Sequence, residues 1–433
     1  MRLIHTSDWH LGRTLHGENL LPYQERFLCW LLDEAVRHQA GAVVVAGDIY
    51  DRAVPPLDAV RLLDAALLRF AQARIPVILT SGNHDSAVRL GFGAGLSESA
   101  GIHLRTSVAD LARPVLLADE HGPVAVYGIP YLLPDAVMAD LGVESRTHEA
   151  VLAEAARRIR ADAAARGIGR TVVAAHAFVT GGQPAESERD IRIGGVADVP
   201  AGVFAGFSYV ALGHLHGAQR AGPPGAPAGV GPVAPGPGTD GAVTHGTVTH
   251  GTVTHGTVAH GTVAHGTVIR YSGSPLAFSF SEKDHRKSVT LAEIDAAGQV
   301  RTTALPTPVP RPLREVRGTL EGLLARADQH RPESDLADLA GAWVKVTLTD
   351  TVRPSAPMER LREKWPHTLV LDFAPEGQLT GSGTDLERLA ATTDPVEICG
   401  LFVEFTSGGP ADDTHRAVLR AAVEAAQRAE SAA

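Results

Sequence analysis

Five short segments place metal-ligating side chains just after apolar runs: Asp8-Trp9-His10, Gly47-Asp48, Gly82-Asn83-His84-Asp85, His176 and Gly213-His214-Leu215-His216. Each is ordinary by itself, since an Asp behind a strand is often a helix cap and a lone His is often a hydrogen-bonded core group. Together they supply two carboxylates, one amide oxygen and four imidazoles, with His84 left over. Imidazole mixed with carboxylate favours Mn, Fe or Zn over Mg and Ca, which prefer oxygen shells. Two such ions sharing a carboxylate, ~3.5–4 Å apart, clamp the attacking and leaving oxygens of a phosphoryl displacement and bring water ionisation toward neutral pH. The inventory points to phosphoester hydrolysis.

These side chains converge only if the fold gathers distant strand ends. Leu3–Thr6, Ala42–Ala46, Val77–Thr80, Val124–Ile129, Val172–Ala175 and Tyr209–Leu212 read as buried strands. Between them, Leu21, Leu28, Leu31, Leu32, Ala35 and Val36, then Leu57, Val60, Leu63, Ala66, Leu67 and Phe70, fall near helical spacing. This alternation predicts an α/β domain, and the carboxyl ends of its strands are where ligands bind.

Residues 218–267 break the pattern. A Gly/Pro/Ala stretch precedes five copies of a Val-Thr/Ala-His-Gly-Thr repeat carrying His245, His250, His255, His260 and His265. A period of five forms no continuous ligand row on a strand or a helix, and Gly and Thr bury too little area to offset chain entropy. The segment is therefore expected to be a disordered insertion between residues 1–217 and 268–300 of one domain. Ile269–Phe280 and Ser288–Ile294 resume strand character, and alternating prolines from Pro306 to Pro312 predict an extended linker over 301–312. Residues 313–409 then read as a second, small α/β domain, with strands at Arg314–Leu320, Val344–Leu348 and Thr368–Phe373 and helices near Leu323–Gln329 and Met358–Lys364. A tail over 410–433 is helical, with a narrow Val418, Leu419, Ala422, Val423, Ala426 face suited to its own domain or to a partner.

Composition sets limits. The 433-residue chain is 44% hydrophobic and 20% charged, with 39 basic and 49 acidic side chains, which suits a globular protein of two or three domains. Its net charge of -10 argues against coating nucleic acid or membrane through an overall field, while leaving a local DNA site open. Cys29 and Cys399 have no metal or disulfide spacing, the first residues lack a signal-peptide core, and no long apolar run occurs, so a reduced, cytoplasmic protein is expected.

The five segments resemble the calcineurin-like metallophosphoesterase superfamily. Thr6–Gly12, Ala46–Asp51, Gly128–Tyr131, Ala175–Val179, Ser187-Glu188-Arg189, Tyr209–His216 and Tyr271–Leu276 narrow the resemblance to the SbcD family of bacterial nuclease subunits, over roughly residues 1–300. The resemblance implies a β-sandwich flanked by helices, an α/β capping domain and a C-terminal helix. It places Asp8, His10, Asp48 and His216 around one ion and Asp48, Asn83, His176 and His214 around another, most readily Mn. His84 then takes the catalytic position, with Asp85 orienting it. One departure is that Asp51 stands where archaeal and eukaryotic relatives carry a second catalytic His. The implied partners are DNA and an SbcC-like SMC-type ATPase, in a heterotetramer of two nuclease and two ATPase subunits with no membrane involvement. Arg13, Arg52 and Arg89 are candidates for phosphate contact. The competing readings are a small-substrate phosphatase or cyclic-nucleotide phosphodiesterase and a non-enzymatic scaffold. The second domain and tail argue against the first, and the complete ligand set against the second.

Overall fold

The structure, a computed structural model, describes residues 1–188, 199–222, 266–328, 339–375, 392, 394–407 and 409–431. The His repeat lies outside the described residues, as do Arg189 and Gln329. The chain divides into two compact units, Met1–Pro310 and Arg311–Ala433.

The first unit contains two six-stranded sheets. In one, β1 (Arg2–Thr6), β4 (Ala42–Ala46), β5 (Val77–Thr80) and β6 (Ile102–Arg105) run parallel, and β13 (Ser288–Ile294) and β14 (Val300–Pro306) add antiparallel strands beyond β1. In the other, β8 (Gly122–Ile129), β9 (Thr171–His176), β10 (Tyr209–Gly213) and β12 (Val268–Tyr271) are parallel, flanked by antiparallel β7 (Val115–Asp119) and β11 (Gln219–Arg220). A short ribbon of β2 (Thr14–Leu15) and β3 (Glu18–Asn19) follows the first strand.

Strand periodicity explains the layering. Val44, Leu3 and Ile78 meet Val126, Val172 and Ala174 in a core between the sheets. The alternate residues Val43, Val45 and Leu79 pack outward against Phe27 and Leu31 of helix Leu21–Arg37 and Leu63 and Phe70 of helix Leu57–Gln72. On the far side Tyr127, Val173 and Val210 pack on Val151, Leu152 and Ile159 of helix His148–Ala165. Strands covered on both faces can be apolar at every position, which is why the sequence runs read as continuous. The result is the expected helix-flanked β-sandwich.

Three details differ from the sequence reading. The strand starting near Ile269 stops at Tyr271, because Gly273 takes φ 77° and Pro275 follows. Residues 301–306, expected to be linker, are the edge strand β14, which tolerates Pro306 at its end. Gln219–Arg220, placed in the insertion, pair with Arg270–Tyr271, so the sheet continues to Arg220.

A polar clasp joins the sheets beneath the strand ends. His5 Nε2 lies 3.1 Å from the Leu212 carbonyl and Nδ1 lies 2.8 Å from the Tyr209 hydroxyl, so Nε2 donates and Nδ1 accepts from the tyrosine. Tyr209→Phe should cost about 1–3 kcal/mol by leaving a buried acceptor unpaired, measurable by urea unfolding. Burial pushes His5 down to about 3. The unfolded chain therefore takes up this proton first, and the clasp's contribution fades as pH falls below the ordinary histidine value of 6.5 toward 3.

In the second unit, β15 (Leu313–Gly318), β16 (Trp343–Leu348) and β17 (Thr368–Phe373) form a parallel sheet in that order. Its core gathers Val344, Val346, Leu320, Leu323, Leu361 and Trp365 with helices Leu320–Asp328 and Pro357–Lys364. Helices Pro395–Ser407 and Asp413–Ser431 follow and pack on each other. No helix among the described residues is long and apolar enough to cross a membrane.

Candidate metal centre

The strand ends of both sheets meet. Asp8 and His10 follow β1, Asp48 follows β4, Asn83 and His84 follow β5, His176 ends β9, and His214 and His216 follow β10. The turns are tight: Asp8, His10, Asp48 and His214 account for four of the eight non-glycine residues with positive φ among the described residues, at 54°, 44°, 49° and 104°. Such strain persists where surrounding structure over-determines it, which is typical of functional sites. Glycines permit the close approach. A Cβ at Gly82 would lie 2.2 Å from Asp48 Oδ1, and one at Gly213 would lie 1.8 Å from the Ala46 carbonyl oxygen. Gln24 secures the first turn, donating to the carbonyls of Trp9 and His10 and accepting from Gly12 N.

Asp48 is central. Its Oδ2 lies 3.6 Å from His10 Nε2 and 3.4 Å from His176 Nε2, while its Oδ1 accepts the His84 backbone N–H at 2.8 Å. On one side, His10 Nε2 and His216 Nε2 are 3.2 Å apart, and Asp8, His10 and His216 offer donor atoms within 4.8 Å of one another. On the other, Asp8, Asp48 and His176 form a second such triplet, with Asn83 Oδ1 at 2.9 Å from His176 Nε2. His214 stands beside His176, ring centroids 5.4 Å apart, and its backbone N–H donates to Asp8 Oδ1 at 3.0 Å. It joins none of the donor triplets found among the described residues. A third triplet is His10, Asp48 and His84.

The electrostatics fit cations. Burial, reinforced by the Asp48 charge, pushes Asp8 up to about 7. Burial alone would also raise Asp48, yet His176 and His10 hold it well below the usual carboxylate range. His176 rises to about 9 against its own burial because Asp48 faces it. Protons on Asp8 and His176 thus neutralise a buried anionic cluster, a role that divalent cations fill when they displace those protons. His10 Nδ1 and Asn83 Nδ2 are buried without hydrogen-bond partners, as expected of residues whose other donor atoms are committed elsewhere.

The structure reassigns Asp85. Its carboxylate accepts backbone N–H groups from Ile49 (3.0 Å), Tyr50 (2.9 Å) and Gly82 (2.9 Å), which locks the Asp48 turn to the Asn83 turn. The His84 ring is oriented by the Asp51 carbonyl instead, 2.8 Å from Nδ1. With three backbone donors on the Asp85 carboxylate and the His84 Nδ1 on the Asp51 carbonyl, the expected orienting role passes to Asp51. The Asp51 carboxylate also lies 3.7 Å from His10 Nδ1 and 3.7 Å from Arg13 Nη1.

Further residues back the site: Glu188 falls in a segment that carries the family resemblance, whereas Glu282 and Lys287 had no signal in the sequence. Glu188 accepts the His216 N–H at 2.5 Å, and Glu282 and Lys287 are buried behind the same ring. Of the three arginines, Arg13 reaches the site: it stacks 4.9 Å over Phe278, donates to the Ser187 carbonyl at 2.9 Å and keeps Nη1 without a hydrogen-bond partner. Arg52 is mostly exposed beside Asp51, and Arg89 donates to the Ala53 carbonyl.

Two family matches agree with this geometry. Residues 1–218 match the calcineurin-like phosphoesterases, a family that binds divalent metals, and residues 309–405 match the SbcD C-terminal domain, described as the type 5 capsule protein repressor C-terminal domain. With Asp8 common to both donor clusters and Asp48 Oδ2 set between His10 and His176 in the first matched region, and with the second match over residues 309–405, the chain belongs to the calcineurin-like phosphoesterase family, as an SbcD-type nuclease subunit.

Proposed function

We propose that the chain hydrolyses DNA phosphodiesters with two Mn ions, as the nuclease subunit of an assembly with an SbcC-like ATPase that cuts duplex ends and opens hairpins. The observation that carries this reading is the position of Asp48 Oδ2 between His10 and His176, one imidazole from each donor cluster. Asp8, His10, Asp48 and His216 would hold one ion, and Asp48, Asn83, His176 and His214 the other. When bound, the pair supplies the Lewis-acid charge that an in-line phosphoryl displacement requires.

The chain's own groups do the rest. His84 donates Nδ1–H to the Asp51 carbonyl, which leaves Nε2 to carry a proton to the leaving oxygen. Asp85 keeps the turns bearing Asp48 and Asn83 in register. Arg13, whose Nη1 lies 3.7 Å from the Asp51 carboxylate, is the arginine set beside the site for a substrate phosphate, and its stacking on Phe278 limits the freedom lost on binding. The chain's net charge of -10 fits local phosphate contacts, with much of the DNA grip left to the ATPase. Helix Asp413–Ser431, with Val418 exposed, is the proposed docking element for that partner, and the site of action is the cytoplasm.

Two nuclease subunits per assembly suit an exposed apolar patch. Val88, Phe92 and Leu96 are 85%, 89% and 83% exposed, and the Arg89–Ala53 hydrogen bond sets this segment beside exposed Val54 and Leu57. Phe92→Asp should shift the isolated subunit from dimer to monomer in analytical ultracentrifugation while metal-dependent hydrolysis of a small phosphodiester persists. An unchanged sedimentation coefficient would remove this patch from the interface. The functional reading itself is tested by Mn-dependent cleavage of hairpin DNA by the purified chain with and without its ATPase. Rapid turnover of a small phosphodiester with no DNA cleavage under either condition would favour a small-substrate phosphodiesterase.

A further inference from the structure

Behind His216 lies a chain of buried polar contacts whose protons can be counted. Glu282 and Lys287 are 1% and 5% exposed and form an ion pair through Oε2. Lys287 Nζ directs its remaining hydrogens to the His216 carbonyl at 3.0 Å and Ser274 Oγ at 2.8 Å, so all three ammonium donors are placed. Glu282 Oε1 accepts the Phe278 N–H at 3.2 Å and the Ser187 hydroxyl. Ser187 Oγ is also 2.8 Å from His216 Nδ1, and Glu282 Oε1 itself lies 3.3 Å from that nitrogen.

A serine has one proton to give. If Ser187 gives it to the carboxylate, which as an ion only accepts, the contact with His216 must be donated by the ring. Nδ1 then carries the hydrogen and Nε2 carries the lone pair. Nε2 is the atom that faces His10 Nε2 at 3.2 Å inside the first donor cluster.

We propose that the Glu282–Lys287 ion pair is a positioning device that fixes His216, through Ser187 and through the Glu282 carboxylate itself, in the Nδ1–H tautomer and so presents its Nε2 lone pair to a divalent ion. The proposal rests on the reading of His216 as a ligand and adds what sets that ligand's tautomer. Outer partners of this kind orient metal-bound imidazoles and raise their basicity.

Amide substitution separates the proton count from mere packing. In Glu282→Gln, Lys287 still demands an acceptor, so the amide turns its oxygen to Lys287 and its NH2 to Ser187. Ser187 must then donate to His216 Nδ1, and the ring proton moves to Nε2, where it blocks the ion. In the double variant Glu282→Gln, Lys287→Met, the amide oxygen is free to face Ser187 and Phe278 again, and the original tautomer returns.

The experiment titrates Mn(II) into the metal-free, full-length chain by calorimetry, alongside 15N histidine spectra assigned with His216→Ala. Wild type should bind two ions and show His216 protonated on Nδ1. Glu282→Gln should weaken one ion by about 10–100-fold and leave the other unchanged, and the double variant should restore most of that loss. Two unchanged affinities in the single variant, equal weakening of both ions, no recovery in the double variant, or a wild-type ring protonated on Nε2 would each overturn the proposal. Failure of wild type to bind any ion would instead overturn the metal reading beneath it, and the wild-type spectrum reports the tautomer even if a variant does not fold.

Discussion

Asp48→Asn removes both divalent ions at once and lowers phosphodiester hydrolysis by at least about 10³-fold, since metal stabilisation of the transition state is worth several kcal/mol. The substitution is chosen for its geometry. An asparagine can still accept the His84 N–H through Oδ1, which preserves the turn, but it sets an NH2 where Oδ2 lay between His10 and His176. The negative charge facing one imidazole of each donor cluster is lost. His216→Ala, by contrast, touches only the cluster containing Asp8 and His10 and should weaken one ion. Elemental analysis of the purified variants checks this, and full occupancy of both sites in Asp48→Asn would mean that the carboxylate does not bridge.

His84→Ala separates chemistry from coordination. With its Nδ1 on the Asp51 carbonyl, His84 has one nitrogen left, and the third donor triplet shows that this ring lies near His10 and Asp48. If that nitrogen moves a proton, its loss lowers the rate by about 10²–10⁴-fold with two ions still bound. The rate deficit should shrink for a substrate whose leaving group needs no protonation, such as a nitrophenyl ester. Loss of one ion together with activity would make His84 a ligand. The same contact gives Asp51 a part independent of its side chain, because a backbone carbonyl orients the ring whichever residue supplies it.

The candidate site was legible because Asp8, Asp48, Asn83 and His214 sit one to three residues beyond apolar strands and His176 ends one, so order along the chain translated directly into a shared sheet edge. The roles of Asp85 and Asp51 were not, since they depend on which lone pairs face backbone donors. Proximity of Asp85 to His84 in sequence suggested a contact, whereas its carboxylate is taken up by two N–H groups of the Asp48 turn and one from Gly82 in its own turn. Glu282 and Lys287 lie about 70 residues from His216, across the segment that interrupts the domain, and only the fold brings them behind the ring. β14 was hidden for a different reason: Val300–Pro306 lies half in solvent at a sheet edge, where strong apolar alternation is not required. The positive φ values at Asp8, His10 and Asp48 also have little sequence signature, because Asp and His adopt that conformation far less routinely than Gly.

The measurement closest to the central claim is an anomalous-scattering map of crystals grown with Mn. The two-metal reading predicts two peaks ~3.5–4 Å apart, one on each side of the Asp48 carboxylate, the first against His10 and His216 and the second against His176 and Asn83. A single peak, or a pair that leaves Asp48 uncoordinated, would contradict it.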